Sequence, residues 1–133
     1  MIPLALIVLF GRSRLRWLTV RGVSMEPTYA DGDRLLVLRS RPRTGVPVVF
    51  EVPSRGGPPS APPDVDWLVK RVVATAGQPV PPGLEQWGST VPPGHFLVRG
   101  DNPRSLDSRH FGFVPDDSAL GRVLRAYRPA TPG

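Results

Sequence analysis

Eighteen prolines are spread through 133 residues, and most of them gather in a few stretches between short apolar runs. Proline has no backbone N–H and a fixed φ, so it breaks helix interiors and settles in turns and at sheet edges. A chain punctuated this way is predicted to fold as a loop-rich, mainly β protein. The segments between the prolines agree. "WLTVRG" (17–22), "RLLVLR" (34–39), "VPVVFEV" (46–52), "DWLVKRVVAT" (66–75), "HFLVRG" (95–100) and "GRVLRAY" (121–127) are rich in Val, Leu and aromatic residues, with Gly, Pro, Asp and Ser between them. "PSRGGPPSAPPD" (53–64) and "PVPPGLEQWGSTVPPG" (79–94) read as solvated or turn-rich connections. The length suits one domain with a real core. It is predicted over residues 17–128, after a short apolar and basic segment at 1–16 and before a frayed tail at 129–133.

The apolar run Ile2–Phe10 is nine residues long, against about 20 for a membrane-spanning helix. It has neither a basic leader nor a small-residue cleavage site, which argues against a cleavable signal peptide. Three readings stay open: an interfacial anchor with Arg12, Arg14 and Arg16 at lipid phosphates and Trp17 at headgroup level, the end of a longer span whose start lies upstream, or a buried element of a soluble domain. The arginines follow the apolar run, which the positive-inside rule would keep cytoplasmic.

A formal net charge of +6 points first to nucleic acid and then to an anionic membrane surface. The arginines are scattered, and neither an RNA-binding aromatic motif nor a helix-turn-helix is visible. The plainer reading of the charge is a coding preference for arginine; of the two partners an anionic membrane surface is expected and nucleic acid is not. Cysteine is absent, which removes disulfides, thiolate metal sites and cysteine nucleophiles. Two histidines, His95 and His110, make a poor metal set. No metal and no cofactor is expected, and any chemistry falls to Ser, Thr, Lys, Asp, Glu or those histidines.

Lys70 is the only lysine among 17 basic residues. On a strand it shares a face with Leu68, Val72 and Ala74. Burial among such neighbours disfavours the ammonium and lowers its pKa, so the amine can serve as a general base. Arginine, which stays protonated, cannot. The plainer alternative is a sheet-edge lysine with a packed stem and a wet head. Ser24, in "RGVSMEPTYADGDRLLV" (21–37), is a candidate nucleophile at the end of a strand, where exposed loop serines sit. Gly22 permits close backbone approach, and the Ser24 amide is placed to donate to an oxyanion. The alternative is an ordinary turn serine. In "RGDNPRSLDSRHFGFVP" (99–115), Asp107 and Arg109 are close enough to pair, and Ser105 and Ser108 offer hydroxyls. His110 invites a Ser-His-Asp triad, but a histidine beside "FGF" is more often a packed or edge residue.

Together these three segments resemble the signal peptidase I family, membrane-bound serine proteases with a Ser-Lys dyad. The resemblance runs from about Leu18 to Tyr127 and rests on "GVSMEPTYADGDRLLV", "VKRVVATAGQ" and "GDNPRSLDSRHFGFVP" in that order. It implies a compact antiparallel β domain of the type shared with self-cleaving repressors such as LexA. Ser24 would be the nucleophile and Lys70 the general base. Ser105 would orient the amine, Asp107 and Arg109 would brace the site, and Met25 and Pro27 would shape the nucleophile loop. Gly22 stands where some members carry a serine, so the Ser24 amide would carry more of the oxyanion role. The implied activity is removal of signal peptides from exported preproteins after small residues, at the plasma membrane with the catalytic domain outside. The alternative is a dedicated, cytoplasmic maturation protease that removes a leader from one partner, such as a nickel superoxide dismutase precursor.

Overall fold

The computed structural model describes residues 14–22, 25–53 and 65–129. The apolar run 2–10, Ser24, the loop 54–64 and the last residues of the tail lie outside the described residues. Seven strands form one antiparallel sheet: β1 (Leu15–Thr19), β2 (Arg34–Leu38), β3 (Pro47–Pro53), β4 (Val65–Thr75), β5 (His95–Arg99), β6 (Val114–Pro115) and β7 (Ala119–Tyr127). Their order is β1-β2-β7-β3-β4-β5-β6. The antiparallel β class and the six longer strands agree with expectation. β6 has only two residues, too short to show a period of two.

The sheet is buried on both faces at its centre. Val49 of β3 joins Leu18, Leu35, Val37 and Val123 in one cluster, while Val48 and Phe50 join Val72, Phe96, Val98 and Val114 in another. Two-sided burial is why "VPVVF" reads as a continuous apolar run and not as an alternation. The Phe50 and Phe96 rings meet edge to face at 5.9 Å, and Phe111 approaches Phe50 at 6.2 Å. Each ring so buried contributes about 1.5–3 kcal/mol of transfer free energy. Phe111 belongs to a single helical turn, α1 (Ser108–Phe111), and its ring docks that turn onto the second cluster.

Three bulges curl the sheet, at Leu36/Val37, Val49/Phe50 and Val72/Ala74. The last corrects the simple alternation along β4. Leu68 and Val72 lie with the second cluster as expected, but Ala74 pairs with Leu97 and packs into a third, with Leu84 and Val91. The 76–94 connection is thus more than a wet loop. It folds back on itself through Val80 N–H to Ser89 C=O and Val91 N–H to Gln78 C=O, both 3.0 Å, and delivers two fully buried side chains. Gly121 marks where β7 passes β2: a Cβ there would lie 2.1 Å from the Leu38 carbonyl oxygen.

Candidate active site

The β1–β2 connection, residues 20–33, is a loop with a closed neck. Val20 N–H donates to Asp33 C=O at 2.7 Å, and Gly32 N–H donates to Val20 C=O at 2.8 Å. Gly22 N–H donates to Asp31 Oδ1 at 2.7 Å. Gly22 takes φ 87, a left-handed conformation that favours glycine. Met25 is 1% exposed and anchors the far side of the loop, while Pro27 is exposed. Ser24, between these anchors, lies outside the described residues.

Lys70 stands on β4 opposite Val48 of β3. Its strand-face neighbours Leu68 and Val72 belong to the second cluster, and it is itself 1% exposed. Burial pulls its pKa from the ordinary lysine value down to about 8; Asp107 opposes that by attraction, and Arg109 reinforces it by repulsion. The sheet-edge alternative fails on geometry, because β4 is an interior strand flanked by β3 and β5.

The 100–112 segment is organised around Asp107. This carboxylate is fully buried and accepts from Gly100 N–H (2.8 Å), Ser105 Oγ (2.9 Å), Arg109 N–H (3.0 Å), Arg109 Nε (2.9 Å) and Arg109 Nη2 (2.8 Å). Burial alone would raise its pKa, but these donors, Arg109 first, bring it down to about 2. Asp107 is therefore ionised near neutral pH. It also caps α1, and its N–H donates to His110 Nδ1 at 3.3 Å. His110 is exposed and serves the cap, so it stands in no Ser-His-Asp arrangement with the buried groups. Ser105 is buried against Asp107 and 3.4 Å from Arg109 Nη2. Ser108, fully buried, accepts from Val98 N–H at 2.9 Å and pins the segment to β5.

A second clamp, not anticipated from the sequence, joins the loop that holds Met25 to the strand that holds Lys70. Arg71, the residue after the lysine, binds Asp101 through Nε (3.0 Å) and Nη2 (2.8 Å) and holds Gly45 C=O with Nη1 (2.9 Å). Asp101 accepts a hydrogen bond from Thr28 Oγ1, and its N–H donates to the Met25 sulfur at 3.3 Å. Asp101 thus ties the residue next to Ser24 to the residue next to Lys70. Its carboxyl pKa is lowered, chiefly by the Arg71 hydrogen bonds. The clue was present in "GDNP" and "VKRV", but nothing in the spacing said that the two would meet.

Lys70, Ser105, Asp107 and Arg109 are therefore brought together, and Gly22 and Met25 flank the loop position between them. Among the described residues, no group of three or more His, Cys, Asp or Glu converges as a metal site. A buried amine of lowered pKa, within the field of an ionised and fully hydrogen-bonded carboxylate, is suited to moving a proton near neutral pH.

The family model described as signal peptidase, peptidase S26, matches residues 1–83 and 81–127. Signal peptidase I of Leptolyngbya laminosa is 31% identical over 134 residues, covering 80% of this chain and 65% of its own length. Probable signal peptidase I-2 of Synechocystis sp. is 31% identical over 141 residues, covering 80% and 60%. Signal peptidase IB of Staphylococcus aureus is 26% identical over 175 residues, covering 96% and 86%. The chain spans less than two thirds of the first two of these relatives.

Proposed function

The chain belongs to the signal peptidase family, peptidase S26, and from that premise we propose that it is a membrane-associated serine endopeptidase that removes signal peptides from exported preproteins. Ser24 is the nucleophile and Lys70 the general base. The observation that carries this reading is the burial of the chain's single lysine, with its pKa brought down to about 8, beside the Asp107–Arg109–Ser105 network.

Neutral Lys70 takes the Ser24 hydroxyl proton as the oxygen attacks the scissile carbonyl. The Ser24 amide donates to the oxyanion. The ammonium then gives its proton to the leaving amine, and a water deprotonated by the same amine releases the acyl group. Asp107 and Arg109 fix the 100–112 segment against β5, and Ser105, bound to Asp107, takes the role of orienting the amine. Asp101 acts through Arg71, Thr28 and Met25 as a positioning residue that holds the nucleophile loop over β4. Because a neutral amine is required, activity rises with pH toward an apparent pKa near 8.

Among the described residues no helix is long and apolar enough to cross a membrane. Membrane association is assigned to the apolar run 2–10 and the arginines after it, with the catalytic domain on the outer face of the plasma membrane. The test is cleavage of a model preprotein with an A-x-A site in detergent by wild type, Ser24→Ala and Lys70→Arg. Arginine keeps the charge but cannot act as a base. Cleavage by wild type alone supports the dyad. Equal cleavage by Lys70→Arg sinks it, and no cleavage by wild type sinks the signal peptidase reading.

A further inference from the structure

On the β1–β2 side of the molecule lies an open cleft of about 790 Å³, lined by Arg14, Arg16, Arg39, Arg41, Asp116 and Asp117 among others. Four of the chain's 16 arginines meet here. Arg39 N–H donates to Arg14 C=O at 2.8 Å, so these two stand opposite each other across the β1–β2 ladder. Like charges set opposite one another destabilise a sheet. Asp116 and Asp117 line the same cleft, yet among the described residues neither forms an ion pair with any of the four guanidinium groups. A smaller adjoining hollow shares Arg16 and Arg39 and reaches the half-buried ring of Trp67.

We propose that this cleft is a binding site for the phosphate headgroups of anionic phospholipids. Guanidinium groups grip phosphate oxygens two at a time, so four of them lining one cleft, none ion-paired among the described residues, suit a phosphate. The chain itself indicates the source of that phosphate. The apolar run 2–10 leads within a few residues into Arg14, which lines the cleft, so a bilayer that takes up the run brings its headgroups to these arginines. The site thus adds a second, electrostatic signal to that of the apolar run. The proposal rests on the membrane-surface part of the function proposed above.

The test is sedimentation of the full chain with vesicles of phosphatidylcholine alone and of phosphatidylcholine with roughly one-third phosphatidylglycerol, near physiological ionic strength. The readout is the ratio of the two partition coefficients, because the apolar run binds both surfaces and cancels. Wild type is expected to prefer the anionic vesicles by at least about tenfold. Arg39→Gln with Arg41→Gln is expected to lose most of that preference at an unchanged melting temperature. Arg34→Gln with Arg125→Gln removes the same charge from exposed positions outside the cleft and is expected to keep the preference. Equal loss in both pairs, or none in the first, overturns the site in favour of net charge alone. Binding of inorganic phosphate in solution with no preference for anionic over neutral vesicles overturns the lipid as its ligand. Preprotein cleavage in detergent is followed in parallel. Cleavage without lipid preference removes this proposal and leaves the protease; preference without cleavage does the reverse.

Discussion

Asp107 and the arginines of the cleft are charged groups beside one sheet, yet their surroundings are opposite. Asp107 is fully buried and accepts five hydrogen bonds, while Arg14, Arg39 and Arg41 are exposed and have no ion-pair partner among the described residues. A buried charge persists only if its neighbours replace the water it lost. An exposed cluster keeps its water and stays available to an arriving anion. The first arrangement fixes geometry and the second leaves it open. The first arrangement suits the proton transfer proposed for Lys70, and the second suits the surface binding proposed for the cleft.

The largest test of this contrast is Asp107→Asn. The amide keeps the shape but leaves Arg109 without its counter-charge and turns an NH2 group toward backbone and hydroxyl donors. The expected loss is about 3 kcal/mol, read from urea denaturation. The same carboxylate predicts an acid limb. Its folded pKa, about 2, lies below the unfolded value, so its stabilisation is complete above about pH 4 and is lost as pH falls toward 2. Asp107→Asn should flatten that limb. An unchanged limb would mean that the network is not holding the fold.

Lys70 gives a linkage of the same sign on the alkaline side, for the opposite reason: its charged form is the one the fold disfavours. Its folded pKa, about 8, lies below that of an unfolded lysine, so between about pH 8 and pH 10 the unfolded chain binds more protons than the native one. Stability must therefore rise with pH through that window, by on the order of 2–3 kcal/mol. Lys70→Met fills similar volume without a charge and should abolish the rise. It should also be at least as stable as wild type at pH 7, though catalytically dead. A rise that survives in Lys70→Met would show that another group titrates there.

Asp101→Asn is the intermediate case, because Asp101 and Arg71 are only partly buried. The predicted cost is about 1–2 kcal/mol of stability. The cost in kcat is on the order of tenfold to a hundredfold, with KM nearly unchanged, since the nucleophile loop would lose its tie to β4 while the substrate surface stays in place. A matching rise in KM would instead assign Asp101 to substrate binding.

Much of this was legible in the sequence. Six strands followed from short apolar runs separated by prolines, and their antiparallel arrangement from the family resemblance. Lys70 stood out because an arginine-rich chain had kept one residue that can lose its proton. Other features depend on contacts that spacing does not encode. The Arg71–Asp101 clamp joins residues 30 apart through a register that only the folded sheet sets. The bulge after Val72 moved Ala74 to another cluster because one unpaired residue reverses every later side chain. Helix α1 is a single turn, short enough to read as loop, and exists because Asp107 caps it. The arginine cleft gathers three segments far apart in the chain, so along the sequence its members look scattered.

The smallest predicted effect is in that cleft. If its arginines are unpaired and exposed, removing one costs no native contact and relieves repulsion from its neighbours. Arg39→Gln should therefore leave stability unchanged or raise it by up to about 0.5 kcal/mol at low ionic strength, because opposed like charges in a ladder destabilise by a few tenths. The gain should vanish near 1 M salt, where the Debye length shrinks to about 3 Å. Thermal melts of wild type and variant at the two salt concentrations decide the matter. A loss of 1 kcal/mol or more would mean that Arg39 holds Asp116 or Asp117 in solution, and the cleft would then be a structural ion-pair network like the one around Asp107. The contrast between the two ends of the sheet would collapse, because charge at both would serve the fold.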